Sequence, residues 1–74
     1  MAEPLKYAAV IEQCGDDYNA YVPDLPGCGA VGGTPDEVIA NVRTAIELHI
    51  RSMRDDGDSI PEPSATTVTI EVAA

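Results

Sequence analysis

The apolar positions along the chain fall into two short strand-like blocks, one helical block and a final alternating block. From Leu5 to Gln13 the residues are strand formers with apolar side chains on both alternation sets. Tyr7, Ala9 and Ile11 point one way, while Ala8 and Val10 point the other. Gly15-Asp16-Asp17 has turn chemistry, and Tyr18 to Val22 reads as a second strand that completes a hairpin. Here Tyr18, Ala20 and Val22 share one face and Tyr21 lies on the other. A sheet covered by one helix needs only one apolar face. Two such faces imply that something else covers the second.

Pro23-Asp24-Leu25-Pro26-Gly27-Cys28 interrupts the strand, because neither proline can donate to a ladder and glycine permits turn geometry. A short third strand is expected over about Cys28 to Val31, before Gly32-Gly33. The helix start is sharply marked. Thr34 suits the N-cap, Pro35 the first helical position, and Glu37 completes a capping box, with Asp36 and Glu37 at the positive end of the dipole. Val38, Ile39, Val42, Ala45, Ile46, His49, Ile50 and Met53 form one apolar stripe. Leu48 lies off it, and Arg43, Glu47, Arg51 and Arg54 lie on the solvent side. Asp55-Asp56-Gly57 ends the helix through glycine. After the stiff segment Ile60-Pro61-Glu62-Pro63, the residues Thr67 to Val72 alternate cleanly: Val68, Ile70 and Val72 inward, Thr67, Thr69 and Glu71 outward. That pattern predicts a half-buried final strand. The expected fold is α+β, in the order β-β-β-α-β: an antiparallel sheet of three to four strands with one helix on one face.

Composition narrows what such a domain does. Seventy-four residues make a single domain, 1–74, and a chain this short buries too little surface to be more than marginally stable alone. Disulfides, a metal or self-association usually make up the difference. Cys14 and Cys28 match neither a secreted disulfide framework nor a CxxC site. They could approach each other if the third strand folds beside the first, but two free thiols are the expectation in a reducing cytosol. The formal charge is −9, from thirteen acidic and four basic residues, which disfavours direct nucleic-acid binding and suits a basic protein partner. No apolar run reaches the roughly 20 residues that span a membrane. The first residues, Met1 to Lys6, have no signal-peptide pattern, so a cytoplasmic location is expected.

Candidate chemistry is sparse. Asp16, Asp17 and Asp24 lie in turns, where aspartate usually caps its own backbone, and metal-dependent catalysis would need them to converge. His49, the one histidine, falls within the apolar stripe and lacks a marked nucleophile or orienting partner. The glycines before the helix match no phosphate-binding loop. No catalytic residue, cofactor or metal site is therefore expected.

As a whole the chain resembles the HicB-like antitoxin domain. The resemblance is carried by YNAYVPDLPGC at Tyr18 to Cys28, GGTPDEV at Gly32 to Val38, a helix with Ala45-Ile46 and His49, and the Gly57…Ile60-Pro61-Glu62-Pro63 close. It covers nearly the whole chain. It implies a partial ribonuclease H-like arrangement without an active site, assembly into dimers or tetramers, and neutralisation of a small basic HicA-type toxin that cleaves messenger RNA. Gly33 stands where the family commonly has an acidic residue. Full antitoxins of this kind add a C-terminal DNA-binding domain, so the chain is expected to be a short stand-alone member of the N-terminal type. The expected contact region is the turn containing Asp24, Leu25, Pro26 and Gly27, with the neighbouring strand edge; an architectural role for these four is equally open. Against the antitoxin reading stand a self-assembling structural or regulatory domain without a toxin and, with least support, an enzyme using the hairpin acids.

Overall fold

A computed structural model describes residues 4–73. Its elements are β1 (Val10–Cys14), β2 (Asp17–Tyr21), β3 (Gly29–Gly32) and α1 (Pro35–Asp55). The strands form one antiparallel sheet in the order β1-β2-β3, with α1 packed on β3 and β2. This is the α+β plan read from the sequence.

β1 and β2 make a tight hairpin in which Cys14 faces Asp17 and Val10 faces Tyr21. Its two-residue loop starts at Gly15, whose φ of 62° is what a hairpin turn with glycine at its first central position requires. The first strand begins later than the alternation suggests, at Val10 rather than Leu5. The reason lies opposite: β2 ends at Tyr21, the partner of Val10, and Val22 and Pro23 turn into the next loop, so the residues before Val10 have no ladder to join. Tyr7 and Ala9 pack against the core from this lead-in segment instead.

Both helix termini follow local chemistry. The Thr34 hydroxyl accepts the Glu37 N–H at 3.1 Å, and the Glu37 carboxylate accepts the Gly33 N–H at 3.1 Å, so the capping box closes one residue upstream of its usual donor. At the other end the Gly57 N–H reaches the Arg54 carbonyl (3.1 Å) and the Asp58 N–H the Met53 carbonyl (2.8 Å), with Gly57 at φ 75°. These two bonds make a Schellman motif.

The core is small: Ala20, Val22, Leu25, Cys28, Val38 and Val42 are buried, with Tyr18, Ala30, Ala45 and Ile46 packed around them. Gly32 brings the sheet against the start of the helix. A Cβ there would lie 2.6 Å from the Val38 nitrogen.

The final strand expected over Thr67–Val72 is absent. None of the described residues after Gly57 forms a strand, and Val68, Ile70 and Val72 are 77%, 69% and 75% exposed. The alternation is real, but the path of the chain decides whether it is used. The Tyr7 hydroxyl donates to the Pro61 carbonyl at 2.6 Å, and Asp24 then holds Ser64 and Ala65. The residues that follow leave the domain as an arm. The radius of gyration, 14.0 Å, accordingly exceeds the ~11 Å of a compact chain this long.

Candidate protein-contact surfaces

The loop joining β2 to β3 is closed by its own backbone. The Leu25 N–H donates to the Val22 carbonyl (3.0 Å), the Cys28 N–H to the Leu25 carbonyl (3.0 Å), and the Val22 N–H to the Cys28 carbonyl (3.1 Å). Gly27 sits at φ 82°, a left-handed value that L side chains rarely adopt. The closure turns Leu25 wholly into the core, 0% exposed. Asp24 is half-buried. Its Oδ2 accepts the backbone N–H groups of Ser64 (2.9 Å) and Ala65 (3.0 Å), and its Oδ1 accepts the Ser64 hydroxyl (2.8 Å). The N–H groups of Ala65 and Ser64, then the Ser64 hydroxyl, hold the Asp24 carboxyl below its ordinary range. Among the four residues singled out in the sequence, Leu25 and Asp24 thus point inward or to the arm, while Pro26 and Gly27 are exposed.

A second surface was not legible in the sequence. A groove of about 740 Å³ runs between the lead-in segment Leu5–Ala9 and one side of α1. Leu5, Ala9, Ile39, Val42, Ile46 and Ile50 supply its apolar wall. Lys6, Arg43, Arg51 and Arg54 line it as well, and these are all four basic residues of the chain. Glu47 and Asp55 share the rim, which leaves the cations in excess there on a protein of net charge −9. Each cation reads in the sequence as an ordinary solvated helix or terminal charge, and only the fold gathers them.

The remaining candidates do not converge. Asp16 lies in the hairpin turn and Asp17 at the start of β2, whereas Asp24 follows the far end of that strand. Cys14 is exposed at the hairpin end and Cys28 is buried at the opposite end of the sheet; both are free thiols. The approach of the two cysteines fails because β3 pairs with β2 and not with β1. His49 is half-buried on α1, the position its place in the stripe suggests. Among the described residues no cluster of three or more metal-binding side chains occurs, and no helix is long and apolar enough to cross a membrane. One contact between helix and sheet that the sequence does not announce is the Asn41 amide, which donates to the Val31 carbonyl of β3 at 2.8 Å.

Comparison with known proteins gives a consistent result. The model of the HicB-like antitoxin of bacterial toxin–antitoxin systems matches residues 7–73. A 14.9 kDa protein from the rep–hol intergenic region of Haemophilus phage HP1 is 39% identical over 56 residues, covering 76% of this chain but only 42% of the phage protein. A UPF0150 protein of Thermoplasma acidophilum is 34% identical over 67 residues, 89% of this chain and 97% of that one. Among solved structures, a chain of a HicA3 and HicB3 toxin–antitoxin complex superposes with a TM-score of 0.70 at 27% identity, covering 81% of this chain and 70% of the other.

Proposed function

Since the chain belongs to the HicB-like antitoxin family of bacterial toxin–antitoxin systems, we propose that it is a non-catalytic module that binds and neutralises a small basic HicA-type toxin in the cytoplasm. The observation that carries this reading is its likeness to a chain solved within a toxin–antitoxin complex. The charge of −9 supports it, because a toxin that handles RNA presents a basic surface, and an acidic partner gains in encounter rate.

The loop Asp24–Gly27 is the proposed contact, with its labour divided. Leu25 anchors the loop from below and Asp24 fixes it from the side, so Pro26 and Gly27 are the residues free to touch the toxin. Closed backbone bonds keep this tip in one shape, which lowers the ordering cost of binding.

A second reading, a self-assembling domain without a toxin, is favoured by the exposed arm, which a solitary monomer does not explain. Co-expression with a HicA-type toxin tests the first. Relief of toxicity with recovery of a complex is expected, and Pro26→Arg should weaken that complex by roughly tenfold or more, as a misplaced charge at an interface does. A toxin that stays fully active and unbound in the presence of excess wild-type protein would overturn the antitoxin reading.

A further inference from the structure

We propose that the groove between the lead-in segment and α1 binds a free fatty-acid anion, its carboxylate between Lys6 and Arg51–Arg54 and its tail along Ile50, Ile46 and Ile39. The groove carries both halves of that chemistry. Leu5 on the lead-in and Ile39 on α1 are each 42% exposed, so the apolar lining stands open to water. Cations stand on both walls as well, Lys6 on the lead-in and Arg43, Arg51 and Arg54 on α1. Tyr7, the neighbour of Lys6, lies within the field of Arg54, which sets Lys6 beside the last turns of the helix. Ile39 lies in the second turn, so the groove runs from a cationic end to an aliphatic one, with Arg43 on its rim between them.

Size, polarity and charge choose this occupant. The volume of about 740 Å³ is that of a small-ligand cleft. Its helical wall from Ile39 to Ile50 runs about 16 Å, the reach of a saturated chain of about a dozen carbons. The backbone of that wall is already paired within the helix, so it offers a peptide's main chain no partners, and a hydrocarbon tail needs none. Four cations against Glu47 and Asp55, with Glu62 bordering Lys6 from the far side, leave the groove positive. A membrane or nucleic acid presents its charge to the whole molecule and is repelled by the net −9. A single carboxylate within the groove responds instead to the cations inside one Debye length, about 8 Å.

This proposal does not rest on the antitoxin reading: toxin rescue reports on that role and decanoate binding on this one. Titration of the full chain with decanoate, followed by NMR, is expected to shift Ile39, Ile46 and Ile50 and to saturate with a Kd on the order of 0.1–1 mM. Hexanoate should bind at least about tenfold more weakly, because each methylene taken from water counts for up to about fourfold. Lys6 and Arg51 are exposed, so Lys6→Gln and Arg51→Gln should leave the urea midpoint in place. Each should weaken decanoate by roughly two- to fivefold, an effect that shrinks at high salt. Ile39→Asp, which sets a charge against the tail, should weaken it by roughly tenfold or more. No saturable shift below micelle formation, glutamine variants that bind like wild type, or decyl maltoside that binds as tightly as decanoate would each overturn the proposal. So would retention on phosphatidylglycerol vesicles without decanoate binding, which assigns the groove to a membrane, or a decanoate-insensitive dimer with the groove isoleucines at its interface, which assigns it to a second copy.

Discussion

Asp24 and Ser64, forty residues apart, are joined through both carboxylate oxygens: the Ser64 N–H reaches Oδ2 at 2.9 Å and its hydroxyl reaches Oδ1 at 2.8 Å. This clasp fixes where the arm leaves the domain. Asp24→Ala is expected to leave the sheet and helix folded but to free residues 64–66. Hydrogen exchange of the Ser64 and Ala65 amides should accelerate by roughly tenfold or more, as for a segment released into local opening. Unchanged exchange at both amides would show that other contacts hold the arm.

The same clasp has a defined response to pH. Its carboxyl titrates below the ordinary value because three donors stabilise the charged form. For a depressed carboxyl, the stabilisation is present above the unfolded pKa of about 3.9 and disappears as pH falls through the lower folded value. Amide exchange at Ser64, corrected for its intrinsic pH dependence, should therefore stay protected from pH 7 down to about 4 and lose protection only below that. Release between pH 5 and 6 would contradict this assignment.

Gly32 and Gly33 are neighbours with opposite tolerances. A Cβ at Gly32 would meet the Val38 nitrogen at 2.6 Å and its Cα at 2.9 Å, both backbone atoms, whereas at Gly33 the nearest atom is a Glu37 carboxylate oxygen at 4.0 Å. Gly32→Ala should cost about 1–3 kcal/mol in urea unfolding, the range for overpacking, and Gly33→Ala well under 1 kcal/mol. Equal losses would mean that the helix start can shift to make room.

Leu25 and Pro26 separate the two roles of the loop. Leu25 is fully buried, so Leu25→Ala should destabilise by about 2–5 kcal/mol, enough to unfold much of so small a domain. Pro26 is exposed, and Pro26→Ala should leave the urea midpoint within the range of a surface change, about 0.5 kcal/mol. Any loss of toxin binding in Pro26 variants is then a contact effect and not a folding effect.

The two thiols should react in separate phases. Cys14 is exposed, while burial keeps the Cys28 thiol protonated by raising its pKa. A chromogenic disulfide reagent at pH 8 should titrate Cys14 promptly and Cys28 only on unfolding. Prompt reaction of both would mean that the β2–β3 loop opens freely.

What the sequence determined by itself was the local structure. Thr34, Pro35 and Glu37 mark the helix start within four residues, and Gly57 marks its end, because caps are satisfied by atoms one turn away. The hairpin at Gly15 and the break at Pro23 were legible for the same reason. Tertiary structure decided everything that depends on the return path of the chain. Thr67–Val72 has the alternation of a strand, but alternation states only that one face wants burial, not which edge will supply it. The clasp of Asp24 on Ser64 sends that segment away from its own sheet, and the same fold gathers Lys6, Arg43, Arg51 and Arg54 around an open apolar groove. Strand propensity is a property of a few neighbouring residues. Pairing is a property of whatever surface lies opposite, and that surface exists only after the rest of the chain has folded.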